Sequence, residues 1–360
     1  MIYRAIGVMS GSSLDGLDIA FTEFDEQAGN WQFAIRQTDC VPYSSEWRRR
    51  LENASHLNAR DYCLLDTEFG HLIGSAINDF ISRNNLQFQV ALISSHGHTV
   101  FHSPAQKMTA QLGSGAAIAA ETRLPVVSDL RSVDVAFGGQ GAPIVPIGEK
   151  YLLGNYQYFL NLGGIANLSS RVDDFIAFDV CPANRVLNML AQHTGASFDA
   201  DGRLAAQGQV NGQLLQALDA LEYYGLDHPK SLANEFGTEA VYPLVMAQEQ
   251  NVANAMATYV AHIARQVANS LRRIGAGPGK LLITGGGAFN SFLVGRIARE
   301  LEPLAIELAI PEPNLINYKE AMIMSFMGVL RWRQEDNVLA SVTGATKNSI
   351  NGALWIGQDA

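Results

Sequence analysis

The densest chemistry in this chain lies in Ser10-Gly11-Ser12-Ser13-Leu14-Asp15-Gly16-Leu17-Asp18. An apolar run enters a turn of Gly and Ser and leaves through Asp15-Gly16 into a second apolar run. Such a turn offers unblocked backbone N–H groups and hydroxyls to phosphate oxygens, and Asp15 and Asp18 supply hard oxygens for a hydrated Mg²⁺. It has neither the Lys nor the spacing of a Walker P-loop, and no helix follows it. The residues therefore read as a phosphate-gripping hairpin or as an ordinary Ser/Gly surface hairpin. Asp179 follows the strand-like run 175–178 and precedes a helix beginning near Asn184, a position suited to a general base or to a turn carboxylate. Ser95-His96-Gly97-His98-Thr99-Val100-Phe101-His102 admits a zinc reading, because His96 and His98 share a strand face. No Asp, Glu or Cys with ligand spacing accompanies them, so polar substrate contacts or loop hydrogen bonds fit better. Glu320 stands in the first turn of an apolar helix, where the macrodipole favours an acid.

These groups need a frame to hold them. Residues 3–9, 17–25 and 31–39 alternate as three strands of a meander. Leu64, Phe69, Leu72, Ile73, Ile77 and Ile81 recur at helical spacing over 60–84, and 90–95 reads as a short buried strand followed by a His-rich loop. The pattern then restarts with strands at 156–162, 166–170 and 175–178, helices near 184–193, 211–222 and 251–273, a strand at 280–284, and helices from 291 and over 319–333. Four Gly-rich turns, at 10–16, 137–143, 161–167 and 284–290, are each expected after a strand, where ligands of open α/β sheets gather. Two α/β lobes with a cleft between them fit this layout.

The 360-residue length fits two domains, and the net charge of -10 argues against broad binding to nucleic acid or anionic membranes. Cys40, Cys63 and Cys181 are odd in number and widely spaced, giving neither a disulfide framework nor a zinc pattern. No run approaches the about 20 apolar residues of a membrane span, and the N-terminus lacks a leader pattern, so a cytoplasmic protein is expected.

Seven blocks occur in order: 7–16, Ser95-His96-Gly97, Gly138-Gly139-Gln140-Gly141-Ala142-Pro143, Asn161-Leu162-Gly163-Gly164-Ile165-Ala166-Asn167, Pro229-Lys230-Ser231, Gly285-Gly286-Gly287-Ala288-Phe289-Asn290 and Ser341-Val342-Thr343-Gly344-Ala345. Together they resemble the anhydro-N-acetylmuramic acid kinases of the actin-like sugar-kinase superfamily, over nearly the whole chain. The resemblance implies an α/β, two-lobed, actin-like ATPase (ribonuclease H-like) fold with mixed sheets and an interlobe cleft. The expected lobes are 1–130 with 338–360, and 131–337. It implies ATP and Mg²⁺, phosphorylation of O6 of 1,6-anhydro-N-acetylmuramic acid with hydrolytic opening of the anhydro ring, and a homodimer. Asp179 takes the position of the base, while Thr99, Arg131 and Glu320 take positions that contact or orient the sugar. Ser10, Gly11, Ser12 and Ser13 would cradle the phosphates with Asp15 assisting through Mg²⁺; Gly163, Gly164 and Asn167 would form a second phosphate loop, and Gly285, Gly286 and Gly287 would lie against the adenosine.

The chain departs from the family pattern in three places. Phe-Asp-x-Gly-Pro-Gly-Asn becomes Phe178-Asp179-Val180-Cys181-Pro182-Ala183-Asn184, with Asn188 where an Asp is usual; this makes a bulkier loop. His-Gly-Gln-Thr becomes His96-Gly97-His98-Thr99, and Arg-Arg-Arg-Asp becomes Arg131-Ser132-Val133-Asp134. Arginines there would engage a lactyl carboxylate, and Ser or Val does not replace a bidentate guanidinium. A neutral 1,6-anhydro sugar such as levoglucosan is the alternative substrate, and an inactive ATP-switched binding protein is the alternative of a different class.

Overall fold

The computed structural model describes residues 1–11, 14–172, 175–233 and 235–358. Two compact units emerge: Met1–Leu153 with Tyr318–Ala360, and Gly154–Asn317. The second is one continuous stretch of chain, whereas the first is assembled from both ends.

In the first unit, β1 (Ile2–Ser10), β2 (Gly16–Gln27) and β3 (Asn30–Pro42) form the expected antiparallel meander. β4 (Leu92–Ser95) adds in parallel to β1. After the hairpin β5 (His98–Ser103) and β6 (Met108–Leu112), β7 (Val126–Ser128) continues the sheet in parallel beside β4. In the second unit, β8 (Tyr158–Leu162), β9 (Ile165–Ser170) and β10 (Ile176–Pro182) repeat the meander, and β11 (Gly279–Thr284) and β12 (Ile306–Ala309) extend it in parallel. The sheet orders are β13-β7-β4-β1-β2-β3, with β13 at Ala353–Trp355, and β10-β9-β8-β11-β12. Each thus contains three antiparallel strands followed by two parallel ones, the ribonuclease H-like arrangement, built twice.

Burial explains the elements. Ile6, Val8, Leu17, Ile19 and Phe21 turn one sheet face onto the helix Ala59–Arg83, which answers with Leu65, Phe69, Ile73, Ile77 and Phe80. Leu64, expected in that stripe, is 47% exposed: the buried face runs through Leu65 at steps of four residues. Gly7 lies directly under the helix Pro313–Trp332; a Cβ there would stand 1.8 Å from the Ala321 carbonyl oxygen. In the second unit the helix Val252–Arg273 buries Met256, Val260, Ile263, Val267 and Leu271, the face its periodicity predicts.

Three expectations need correction. The His-rich segment is not a loop but strand β5: Gly97, at φ +72°, bends the chain against the Leu112 carbonyl, and His98 then pairs with Leu112. The Gly-rich turn 137–143 follows the helix Ser132–Ala136 rather than a strand. The unit boundaries fall at 153/154 and 317/318 rather than at 130/131 and 337/338. Residues 131–153 belong with the first unit because buried Asp134 is bonded by Asn351 and Thr343, and Glu149 pairs with Lys319. The helix Pro313–Trp332 departs from helical dihedrals at Tyr318, where the second boundary lies.

Candidate active site

Each unit carries a polar cluster on its sheet. In the first, β1 delivers Ser10 to its carboxyl end, where Tyr43 Oη donates to Ser10 Oγ at 2.7 Å and Ser10 Oγ lies 3.1 Å from His98 Nδ1. Burial holds the His98 ring below its ordinary pKa, and a hydrogen bond to the Ser10 backbone partly offsets it. Ser10 is 3% exposed, so its hydroxyl anchors the turn from below. Gly11 and Asp15 follow at the surface side, and Ser12 and Ser13 lie outside the described residues.

Asp18, on β2, sits between Met9 and Cys40 in the sheet. Burial pushes its carboxyl up to about 6; the Cys40 hydrogen bond opposes this, and the charges of Glu320 and Asp15 add to it. Burial and Asp18 in turn push the Cys40 thiol up to about 12. Asp15, Asp18 and Glu320 therefore share one negative field, and Glu320 reaches it because Gly7 admits its helix so closely.

Arg131 faces this field. Its Nε donates to His96 Nε2 at 2.8 Å, and Nη1 donates to the Gly141 carbonyl. His96 is pushed down to about 3, by burial first and by Arg131 second, so it accepts as a neutral ring. Glu320 and Asp134 favour the guanidinium charge that burial opposes. Thr99 is exposed on β5, next to His98. Ser132 spends its hydroxyl on Asp129, and Val133 points outward.

Sequence reasoning missed the brace behind Arg131. Asp134 accepts from Thr343 Oγ1 at 2.7 Å and from Gly141 N at 2.8 Å, while Gln140 N donates to the Thr343 carbonyl at 2.8 Å. The block Ser341–Ala345 was the available signal, since a Thr before a Gly at a helix end can spare its hydroxyl for a distant partner.

In the second unit β10 presents Asp179 opposite Asn167 of β9, at a register shift between Asp179 and Cys181. Asn167 Nδ2 donates to Asp179 Oδ1, and Leu232 N donates to Oδ2 at 2.7 Å. Tyr223 Oη fastens the Asp179 carbonyl at 2.7 Å. Burial raises the carboxyl above its usual range, and the Leu232 and Asn167 hydrogen bonds temper the rise. Asn167, expected in a phosphate loop, hydrogen-bonds the Asp179 carboxylate. Cys181 and Ala183 are fully buried, so the bulk that replaces two glycines goes into the core rather than toward Asp179.

The turn Gly163-Gly164 is locked to the same strand end: Ala183 N and Asn184 N donate to the Gly164 and Gly163 carbonyls at 2.8 and 3.1 Å. The loop Gly285–Gly287 packs on the end of β8, where a Cβ on Gly287 would stand 2.6 Å from Leu162 Cβ. The second unit therefore brings together the Asp179, Gly163–Gly164 and Gly285–Gly287 groups, and the first brings together Asp15, Asp18, Arg131 and Glu320.

The family model described as anhydro-N-acetylmuramic acid kinase matches residues 3–357. A relative of that name from Vibrio vulnificus (strain YJ016) is 32% identical over 97% of this chain and 97% of its own length. Another from Sulfurovum sp. (strain NBC37-1) is 31% identical over 98% and 99%. The activator of the 2-hydroxyisocaproyl-CoA dehydratase from Clostridium difficile aligns at 13% identity over 92% of this chain and 97% of its own, with a TM-score of 0.46, too loose to add to the topology. The match from residue 3 to residue 357 and the full-length relatives decide it: the chain belongs to the anhydro-N-acetylmuramic acid kinase family.

Proposed function

We propose that the protein transfers the γ-phosphoryl group of ATP to O6 of 1,6-anhydro-N-acetylmuramic acid while water opens the anhydro ring, giving N-acetylmuramic acid 6-phosphate and ADP in peptidoglycan recycling. The observation that carries this reading is the partly buried Asp179 carboxylate, clamped on both oxygens and raised in pKa by burial. A base with a raised pKa holds the proton it takes more firmly, and its clamps fix the lone pair used.

Asp179 removes a proton from water as the water oxygen bonds to the anomeric carbon. The bond from that carbon to the bridging oxygen breaks, and the electron pair stays on the oxygen, which is O6 of the opened sugar. This oxygen bonds to phosphorus as ADP leaves. Glu320 and Thr99 orient the sugar hydroxyls, and Arg131, held by the neutral His96 and the Gly141 carbonyl, pairs with the lactyl carboxylate. The open backbone at Gly11 and at Gly163–Gly164 receives phosphate oxygens.

Mg²⁺ fits the first unit's residues: Asp15 and Asp18 are hard donors, and the raised Asp18 marks a negative field that a dication offsets. Among the described residues no group of three acidic, His or Cys side chains converges tightly enough to hold a metal alone. Asp15 and Asp18 would therefore hold it through water. When bound, Mg²⁺ offsets charge on the phosphate oxygens. We also place the protein in the cytoplasm as a homodimer, the state to be read from its hydrodynamic mass.

The deciding assay incubates the protein with ATP, Mg²⁺ and either 1,6-anhydro-N-acetylmuramic acid or levoglucosan, and weighs the phosphosugar by mass spectrometry. Phosphorylated, ring-opened muramic acid is expected. Product from levoglucosan alone would move the substrate to neutral anhydro sugars, and product from neither would remove the kinase reading.

A further inference from the structure

The three glycines of the 285–287 loop are not explained alike. Gly285 has φ +79°, and a Cβ there would stand 2.6 Å from Asn161 Oδ1. Gly287 would drive a Cβ to 2.6 Å from Leu162 Cβ. Both are required by the fold. Gly286 is exposed, has no positive φ, and a Cβ on it would meet only Asn184 Nδ2 at 3.9 Å. Nothing in the protein asks for a glycine there. Asn184 is itself fixed, because its Nδ2 donates to the Leu162 carbonyl at 2.8 Å.

Gly286 opens a short 3₁₀ turn that ends at Phe289. Residues i and i+3 eclipse in such a turn, so the bare backbone of Gly286 and the Phe289 ring share one face. Phe289 is 48% exposed, while Ala288 between them is buried in the core. Asn290 caps the next helix through Leu293 N, and Asp201 accepts from Ser291 N, so the turn that carries the ring is fastened on its far side. A rigid loop that presents an exposed aromatic beside a side-chain-free patch suits a flat heteroaromatic ring.

We propose that Phe289 is the stacking platform for the adenine base, with Gly286 kept bare so that the ring can lie flat against the loop. This rests on the nucleotide reading above and adds to it a residue that selects for the base rather than for the phosphates.

The test titrates the full chain by calorimetry with ATP and, separately, with inorganic tripolyphosphate. Phe289→Ala is expected to weaken ATP about 10-fold, within the range of one base–aromatic stack, and to leave tripolyphosphate unchanged. Phe289→Tyr should restore ATP affinity, and Gly286→Ala should show the same selective loss without lowering Tm. Unchanged ATP affinity in Phe289→Ala, or an equal loss on tripolyphosphate, would overturn the platform while leaving the kinase reading standing. A wild-type chain that binds tripolyphosphate but not ATP would remove both.

Discussion

Asp179, the base in the proposed reaction, is held at three points. Its two oxygens are held by Asn167 and Leu232, and its backbone by Tyr223, so an amide in its place keeps the shape but loses the basicity. Asp179→Asn should lower turnover by about 10²- to 10⁴-fold, the usual worth of a positioned base, with ATP affinity kept. Quenched-flow turnover beside calorimetry reads both, and lost ATP affinity would place Asp179 in the nucleotide site instead. Asp18 and His96 pull stability in opposite directions with pH. Asp18, raised to about 6 in the fold, favours the folded state when protonated, so that contribution is lost as pH rises from about 4 to 6. His96, lowered to about 3, is neutral in the fold, so its contribution is lost as pH falls from about 6.5 towards 3. Asp18→Asn should therefore raise Tm at pH 7 by about 2 °C, and its Tm should fall more steeply than that of the parent between pH 6.5 and 4. Parallel melting curves across that range would contradict this assignment.

At the scale of elements, the site depends on contacts that leave no margin. Gly7→Ala would push the helix Pro313–Trp332 off β1 and carry Glu320 with it. A loss of about 3 kcal/mol is expected, typical of overpacking, together with a higher KM for the sugar. Denaturant titration and initial-rate kinetics check the two effects. Thr343→Val keeps the volume but takes a donor from the fully buried Asp134, at a cost of about 1–3 kcal/mol. The loop that holds Arg131 should loosen, so the sugar KM should rise more than the ATP KM. What was legible in the sequence follows from range. The meander, the helix 252–273 and the strand before Gly285 were readable because period and turn residues are local signals. The hairpin β5–β6 was hidden because His and Thr do not alternate with apolar residues, and its pairing depends on Leu112. The boundary after Leu153 was hidden because Asp134 finds partners over 200 positions away in Thr343 and Asn351. Asp179 was legible as a candidate, but its partner Leu232 was not, since a backbone N–H carries no residue identity.

On the scale of the whole molecule, the chain uses one strand order twice. The second copy, 154–317, carries a hydrophobic core of its own running from Tyr158 to Ile316. Expressed alone, 154–317 should fold and melt cooperatively by circular dichroism; a gradual, featureless melt would show that its core is not sufficient. The first copy has no such independence, because Tyr318–Ala360 supplies the helix over Gly7, the strand β13 and the Thr343 and Asn351 partners of Asp134. On a ribosome, residues 154–317 are joined to the chain before any of those parts. The earlier unit must then wait, with Gly7 uncovered and Asp134 lacking its Thr343 donor and its Asn351 acceptor, until residues 318–360 arrive. Birth order and folding order run opposite ways, and a chain truncated after Asn317 and released should resist protease in its later half and be cut in its earlier one.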